Sequence, residues 1–230
     1  MALATPKTIL LITDPKILSI AIGHSDEPLV DIKRQGGIIY GPSPEIPNNQ
    51  DYTFLRQTVY HKLVAAQKHL PPGYHFCLYE GYRSMALQKM LFDTHYANVS
   101  KRHPNWTATE IFQETIKLVS PVVHQDGTPN IPPHSTGAAV DVYLLDDSGH
   151  VLDMGIHPKD WMSDDGGVLS LTASHAISAT AKKNREIMAQ ALSAEGFVNY
   201  PTEYWHWSYG DRYWAYMTHH SKTIYDQIIP

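Results

Sequence analysis

One cysteine in 230 residues leaves Cys77 without a partner for an intramolecular disulfide and removes any thiolate cluster, so a metal site here has to be built from imidazole and carboxylate groups. Cys77 itself stands in the apolar run HFCLY, the setting of a buried thiol. Basic residues are sparse as well. The 18 Lys and Arg are scattered and outnumbered by 23 Asp and Glu, and a net charge of −5 gives no electrostatic footprint for nucleic acid. Long hydrophobic runs are missing too. Between Lys7 and Ile22 the stretches ILLI and ILSIAI are broken by Asp14 and Lys16, so no signal-peptide h-region or transmembrane span is evident, and a cytoplasmic location is the expectation, with the periplasm as the alternative for a chain numbered after processing. The chain shows no internal repeat and no low-complexity tract, and it carries no signal for oligomeric state.

What is present is ordinary for a soluble globular protein: 43% hydrophobic and 18% charged residues, enough to bury a core. We expect one domain over 1–230, in which residues 1–50, punctuated by GPSPEIPNN, form an extended arm wrapped on the core. Apolar residues from Phe54 to Leu70 recur at helical spacing, so a helix is predicted over 51–70, stopped by PPG at 71–73. Tyr74–Tyr79 is rich in β-formers and predicts a strand that delivers Arg83 to its end, before a helix from Met85 to Tyr96. Thr107 or Thr109 is a candidate N-cap for a helix with body IFQETIKLV, inside a stretch, 97–131, that reads as a lid or insert. AAVDVYLLD reads as a buried strand, and DDSG turns it into a second strand, HVLDMG. Ala179–Glu195 predicts a helix stopped by Gly196, and strand and loop come after it.

The chemistry gathers in three places. His134 precedes a glycine turn, and Asp141 follows seven residues later between Val140 and Val142, inside an otherwise apolar strand. A carboxylate there is costly unless a cation neutralises it, and a histidine arriving over the turn can share that cation. A loop cap or an Arg partner would equally account for Asp141 alone. In Glu203-Tyr-Trp-His206-Trp a carboxylate and an imidazole stand three apart among aromatics. His206 supplies a third ligand, which matches the three protein donors and open position of a catalytic zinc, and Glu203 is left free for proton transfer. Arg83 is placed to hold an oxyanion or a substrate carboxylate, or to form a structural ion pair.

At these residues the sequence resembles the zinc D-alanyl-D-alanine dipeptidases of the vancomycin-resistance type, within the D,D-peptidase and hedgehog-like superfamily. The pattern H-x-x-G-x-x-x-D with a distant E-x-x-H is matched by His134, Gly137, Asp141, Glu203 and His206, and D-G-Y-R-P is matched by EGYRS at 80–84. Asp153-Met154-Gly155, DIKRQ at 31–35 and YTFLRQTVYHKLVAAQKHL at 52–70 extend the likeness over roughly residues 30–210. The resemblance implies an α+β fold with a central antiparallel sheet carrying the site and helices against it. It implies one zinc ion per chain on His134, Asp141 and His206, Glu203 as general base and then acid, Arg83 as transition-state stabiliser, and Asp160 as a holder of the substrate's free amine. The implied partner is a small peptide such as D-alanyl-D-alanine. Pro132 replaces the family's serine before the first histidine, and Arg34 replaces a tyrosine near the amino terminus, so dipeptide specificity is less defined than the metal chemistry. Two rivals stand beside this reading: a D,D- or L,D-carboxypeptidase acting on peptidoglycan stems, and a hedgehog-like module that keeps zinc without turnover.

The remaining histidines, His219 and His220 among them, read as surface residues. The aromatic group Tyr209, Tyr213, Trp214 and Tyr216 reads as packing for the last helix.

Overall fold

The computed structural model describes residues 9–229. Its elements in chain order are α1 (Pro15–Leu18), β1 (Leu29–Asp31), α2 (Ile32–Gln35), β2 (Ile39–Tyr40), β3 (Phe54–Arg56), α3 (Gln57–Gln67), β4 (Tyr74–Glu80), α4 (Met85–Arg102) and α5 (Ala108–Thr115). After them come β5 (Ala139–Asp146), α6 (Ala179–Ala194), β6 (Val198–Asn199), β7 (His206–Ser208) and α7 (Arg212–Met217). This is the expected α+β architecture. Five strands make one sheet in the order β2-β4-β5-β7-β6, antiparallel except for the β2 edge, which runs parallel to β4. No helix of the described residues is long and apolar enough to cross a membrane.

Strand alternation sorts β5 into two faces. Val140, Val142 and Leu144 join the main core with Phe76 and Leu78 of β4, Val59 and Leu63 of α3, and Met188 and Leu192 of α6. Tyr143 and Leu145 make a smaller cluster with Cys77 on the other side. Asp141 belongs by alternation to that second face.

The first fifty residues are knitted into this frame. From them β1 pairs with β3, β2 adds the parallel edge to β4, and Ala21 bridges Lys222 near the carboxyl end. That pairing explains a departure from expectation. The predicted helix over 51–70 begins only at Gln57, because Asp51–Thr53 is a 3-10 turn and Phe54–Arg56 is drawn into strand pairing with Leu29–Asp31. The local apolar spacing could not show that a distant segment would claim those backbone groups. Two further elements are shorter than predicted: the strand after DDSG is a single bridge, Leu145 to Val151, and α5 ends at Thr115. Thr107 is the cap of α5, in a reciprocal capping box with Glu110. His219 lies past the end of α7, so the His219-His220 pair is not helical.

Arg56 ties these parts together. It is 6% exposed, and its guanidinium donates to the carbonyls of Thr136 at 2.9 Å and Glu27 at 2.6 Å and pairs with Asp226 at 3.6 Å. Arm, carboxyl-terminal segment and the turn carrying His134 thus share one cation. Arg56→Met keeps the stem and strands the buried carbonyls, so we expect a loss of about 3 kcal/mol. For a chain of this size that lowers Tm by roughly 6–12 °C, measurable by calorimetry.

Candidate active site

His134 sits on a 3-10 turn, Pro133–Thr136, which ends at Gly137 in the left-handed region (φ 70°). A side chain there would be strained by its φ and would also strike Leu29 Cδ2 at 2.8 Å, so the glycine of the motif has a steric reason. The turn is stitched to the loop after β4. Arg83 N donates to His134 O at 3.2 Å, Ser135 Oγ donates to Arg83 O at 2.9 Å, and His134 Nδ1 donates to Gly81 O at 2.7 Å. A carbonyl only accepts, so the last bond puts a proton on Nδ1, and in the neutral imidazole Nε2 then keeps its lone pair.

Sheet register brings the other groups beside it. Asp141 of β5 lies opposite His206 of β7 on one side and Glu80 of β4 on the other. Between Leu78 and Glu80 the register shifts by a bulge, which resets the alternation and pairs Glu80 with Asp141. Asp141 Oδ1 is 3.0 Å from His206 Nδ1 and 3.3 Å from His134 Nε2, and the two nitrogens are 3.1 Å apart. His134, Asp141 and His206 are all buried and form a group able to hold a metal ion. Burial works against the Asp141 charge, but the two histidines outweigh it and hold the carboxyl well below the usual carboxylate range.

Glu203 and Arg83 line the same pocket as these three residues. Glu203 is 8% exposed, and its one side-chain hydrogen bond among the described residues comes from Trp205 Nε1 at 3.0 Å. Burial, with the Asp141 charge adding to it, raises its proton affinity well above that of a free glutamate, against the opposing pull of Arg83. Arg83 is nearly buried. Its Nε donates to Glu80 Oε1 at 2.9 Å, Nη2 donates to Glu80 Oε2, and Nη1 donates to Gln88 Oε1 at 2.9 Å. Burial opposes its charge, yet Glu80 holds it firmly cationic. Of five guanidinium N–H groups, these bonds use three.

Sequence reasoning named five of these residues, and the fold brings all five to one pocket. Asp160 is a different matter: it is exposed on the 3-10 turn Pro158–Ser163 and does not line the pocket. Pro132 does line it, while Arg34 is exposed and pairs with Asp31 at 3.9 Å. Sequence reasoning missed Glu80, Gln88, Trp161 and Glu45. Glu80 was signalled by its place in EGYRS, three residues before Arg83. Gln88 lies on the first turn of α4, and its side chain both accepts from Arg83 and donates to Ser120 O at 2.7 Å. Glu45 stands in irregular chain with no local pattern to mark it.

Two imidazole nitrogens and a carboxylate oxygen converge in a pocket that a glutamate and an arginine also line, a donor set able to hold a metal ion. The chain belongs to the D-Ala-D-Ala dipeptidase family, whose model matches residues 47–226, and it is accordingly a metallopeptidase. It is 28% identical over 218 residues to a D-alanyl-D-alanine dipeptidase of Synechocystis sp., covering 86% of this chain and 88% of that one. A D-alanyl-D-alanine dipeptidase of Escherichia coli is 32% identical over 73 residues, 32% of this chain and 35% of that one. Among solved structures, the LD-carboxypeptidase LdcB has a TM-score of 0.42 at 16% identity, covering 95% of this chain and 90% of that one. VanYB in complex with D-alanine-D-alanine has a TM-score of 0.44 at 16% identity, covering 88% and 94%.

Glu80 is fully buried, so removing its charge leaves the Arg83 guanidinium short of a counterion in a dry setting. Glu80→Gln is expected to destabilise the fold by about 3–5 kcal/mol. Urea unfolding checks this, and a change within about 0.5 kcal/mol would show Arg83 to be neutralised by another group.

Proposed function

We propose that this enzyme hydrolyses a short D-amino-acid peptide, D-alanyl-D-alanine first, into its two amino acids at a zinc ion held by His134, Asp141 and His206. The donor triangle carries the reading. With zinc bonds of about 2.0–2.1 Å, two donors of a tetrahedral site stand roughly 3.3–3.4 Å apart, close to the 3.0–3.3 Å edges among these three atoms. The donor chemistry also fits, because with Nδ1 of a neutral His134 turned to Gly81 O, its Nε2 lone pair faces inward beside Asp141 Oδ1 and the His206 ring. A divalent cation suits such a donor set. Membership of the family, and the activity for which the Synechocystis relative is named, support the substrate.

When bound, the zinc ion supplies Lewis acidity toward the peptide carbonyl and makes a water far more acidic than in bulk. The residues of the chain do the rest. Glu203 takes a proton from the attacking water as its oxygen joins the carbonyl carbon, then delivers that proton to the amide nitrogen as the C–N bond breaks. Trp205 Nε1 holds the carboxylate in place for both transfers. Arg83, oriented by Glu80 and Gln88, turns its remaining N–H groups to the carbonyl oxygen as charge gathers there. One water is consumed, and two amino acids leave.

Replacing His134, Asp141 or His206 by Ala is expected to abolish binding of one zinc per chain, measured by elemental analysis after dialysis. Retention of metal in all three variants would refute the site. Glu203→Gln should keep the metal and lower turnover of D-alanyl-D-alanine by roughly 10²–10⁴. If Glu203 were instead a fourth ligand, the same change would release metal. Full activity with metal present would remove Glu203 from the mechanism.

A further inference from the structure

The mechanism assigned to Asp141, Glu203 and Arg83, with Glu80 neutralising Arg83, leaves one charged group in the pocket without work. Glu45 lines the cavity shared by His134, Asp141, His206, Arg83 and Glu203. Among the described residues it forms no ion pair, and its one side-chain hydrogen bond comes from Trp161 Nε1 at 3.4 Å. Tyr79 lines the same cavity as Trp161, so a carboxylate and two aromatic side chains share its wall.

Glu45 is held there by the arm rather than left to wander. Gly41 N donates to Leu78 O of β4 at 3.0 Å, Gly41 O accepts from Tyr52 at 2.7 Å, and Ser43 Oγ closes on Ile46 O at 2.6 Å across the glutamate. Pro42, Pro44 and Pro47 stiffen the same loop. Fixing a carboxylate in a partly dry cavity that Asp141 also lines, with the Glu80 charge behind it, costs free energy, and burial with the Glu80 charge raises its proton affinity in consequence. An incoming cation reverses that cost, and aromatic walls suit an ammonium group.

We infer that Glu45, with Trp161 and Tyr79, is the subsite for the free α-ammonium of the substrate, in place of the exposed Asp160. This rests on the peptidase reading above and narrows its substrate. A free dipeptide carries its ammonium one residue from the scissile bond, whereas the same two residues at the end of a longer stem carry an amide there. The arm therefore selects dipeptides against stem peptides.

The test compares D-alanyl-D-alanine with N-acetyl-D-alanyl-D-alanine on the zinc-loaded protein of residues 1–230. The wild type should prefer the free amine, and Glu45→Gln should reduce the ratio of kcat/KM for free over acetylated peptide by roughly 10- to 100-fold. The change should fall mainly on KM, and Glu45→Asp, which keeps the charge, should restore part of the preference. An unchanged ratio in Glu45→Gln overturns the assignment and leaves the peptidase reading standing. Calorimetric binding of the same two peptides separates the two failures. If the wild type turns over neither peptide, the peptidase reading falls. Tighter binding of the free peptide, lost in Glu45→Gln, would still uphold the subsite, and equal or absent binding of the two would end it.

Discussion

Negative charge packed around one guanidinium is the constraint on which this pocket depends. Glu80, Asp141 and Glu203 are buried and Glu45 is partly so, while Arg83 is the one permanent cation lining the pocket among the described residues, with His134 and His206 beside Asp141. In low dielectric, ionised carboxylates this close cannot be tolerated without cations, and one arginine neutralises one of them. Glu80 takes that role through a two-pronged pair. The remaining excess is met by the two histidines beside Asp141, by protons, or by cations that arrive from outside. A divalent ion on the donor triangle and an ammonium at Glu45 are two such cations, and each would make binding of the other easier.

Holding these groups together requires backbone from most of the chain. β4, β5 and β7 set Glu80, Asp141 and His206 in one cross-strand row, and the bulge before Glu80 makes the row possible. His134 comes from a turn outside the sheet, pinned by three hydrogen bonds to the segment 81–83. Arg56 then fastens that turn to the arm and to the carboxyl-terminal segment. A one-residue slip between β5 and β7 would turn His206 to the opposite face, so register is as much a part of the site as the side chains are.

The candidate donors were legible in the sequence through their combination rather than singly: Asp141 in an apolar strand, His134 ahead of a glycine turn and His206 among aromatics together make a three-donor set. The sheet and its helices were legible because β4, β5, α4 and α6 carry strong local patterns. Where structure depends on distant pairing, local pattern misled. Leu55 has helical spacing with Val59 and Leu63, but strand β1 takes the backbone of Phe54 and Leu55. Glu45 carried no local mark, because a proline-rich loop tethered to β4 is what brings it to the cavity, while Asp160, found by motif spacing with one extra residue, stands exposed on a turn outside it.

Burial of Glu203 bears on whether the site works or merely binds. A structural zinc site in a binding module needs ligands and needs no spare carboxylate. Here Glu203 is 8% exposed and receives one indole hydrogen bond among the described residues, little compensation for desolvating an acid next to Asp141. Packing gives no reason for it, since a glutamine or leucine of similar volume would avoid the electrostatic cost. Arg83 presents the same asymmetry, for its charge is needed to balance Glu80, yet the pair together adds little that two apolar residues would not. Groups kept in so unfavourable a setting become useful only when a reaction moves a proton and develops charge beside them, which favours an enzyme over a module that keeps its metal without turnover.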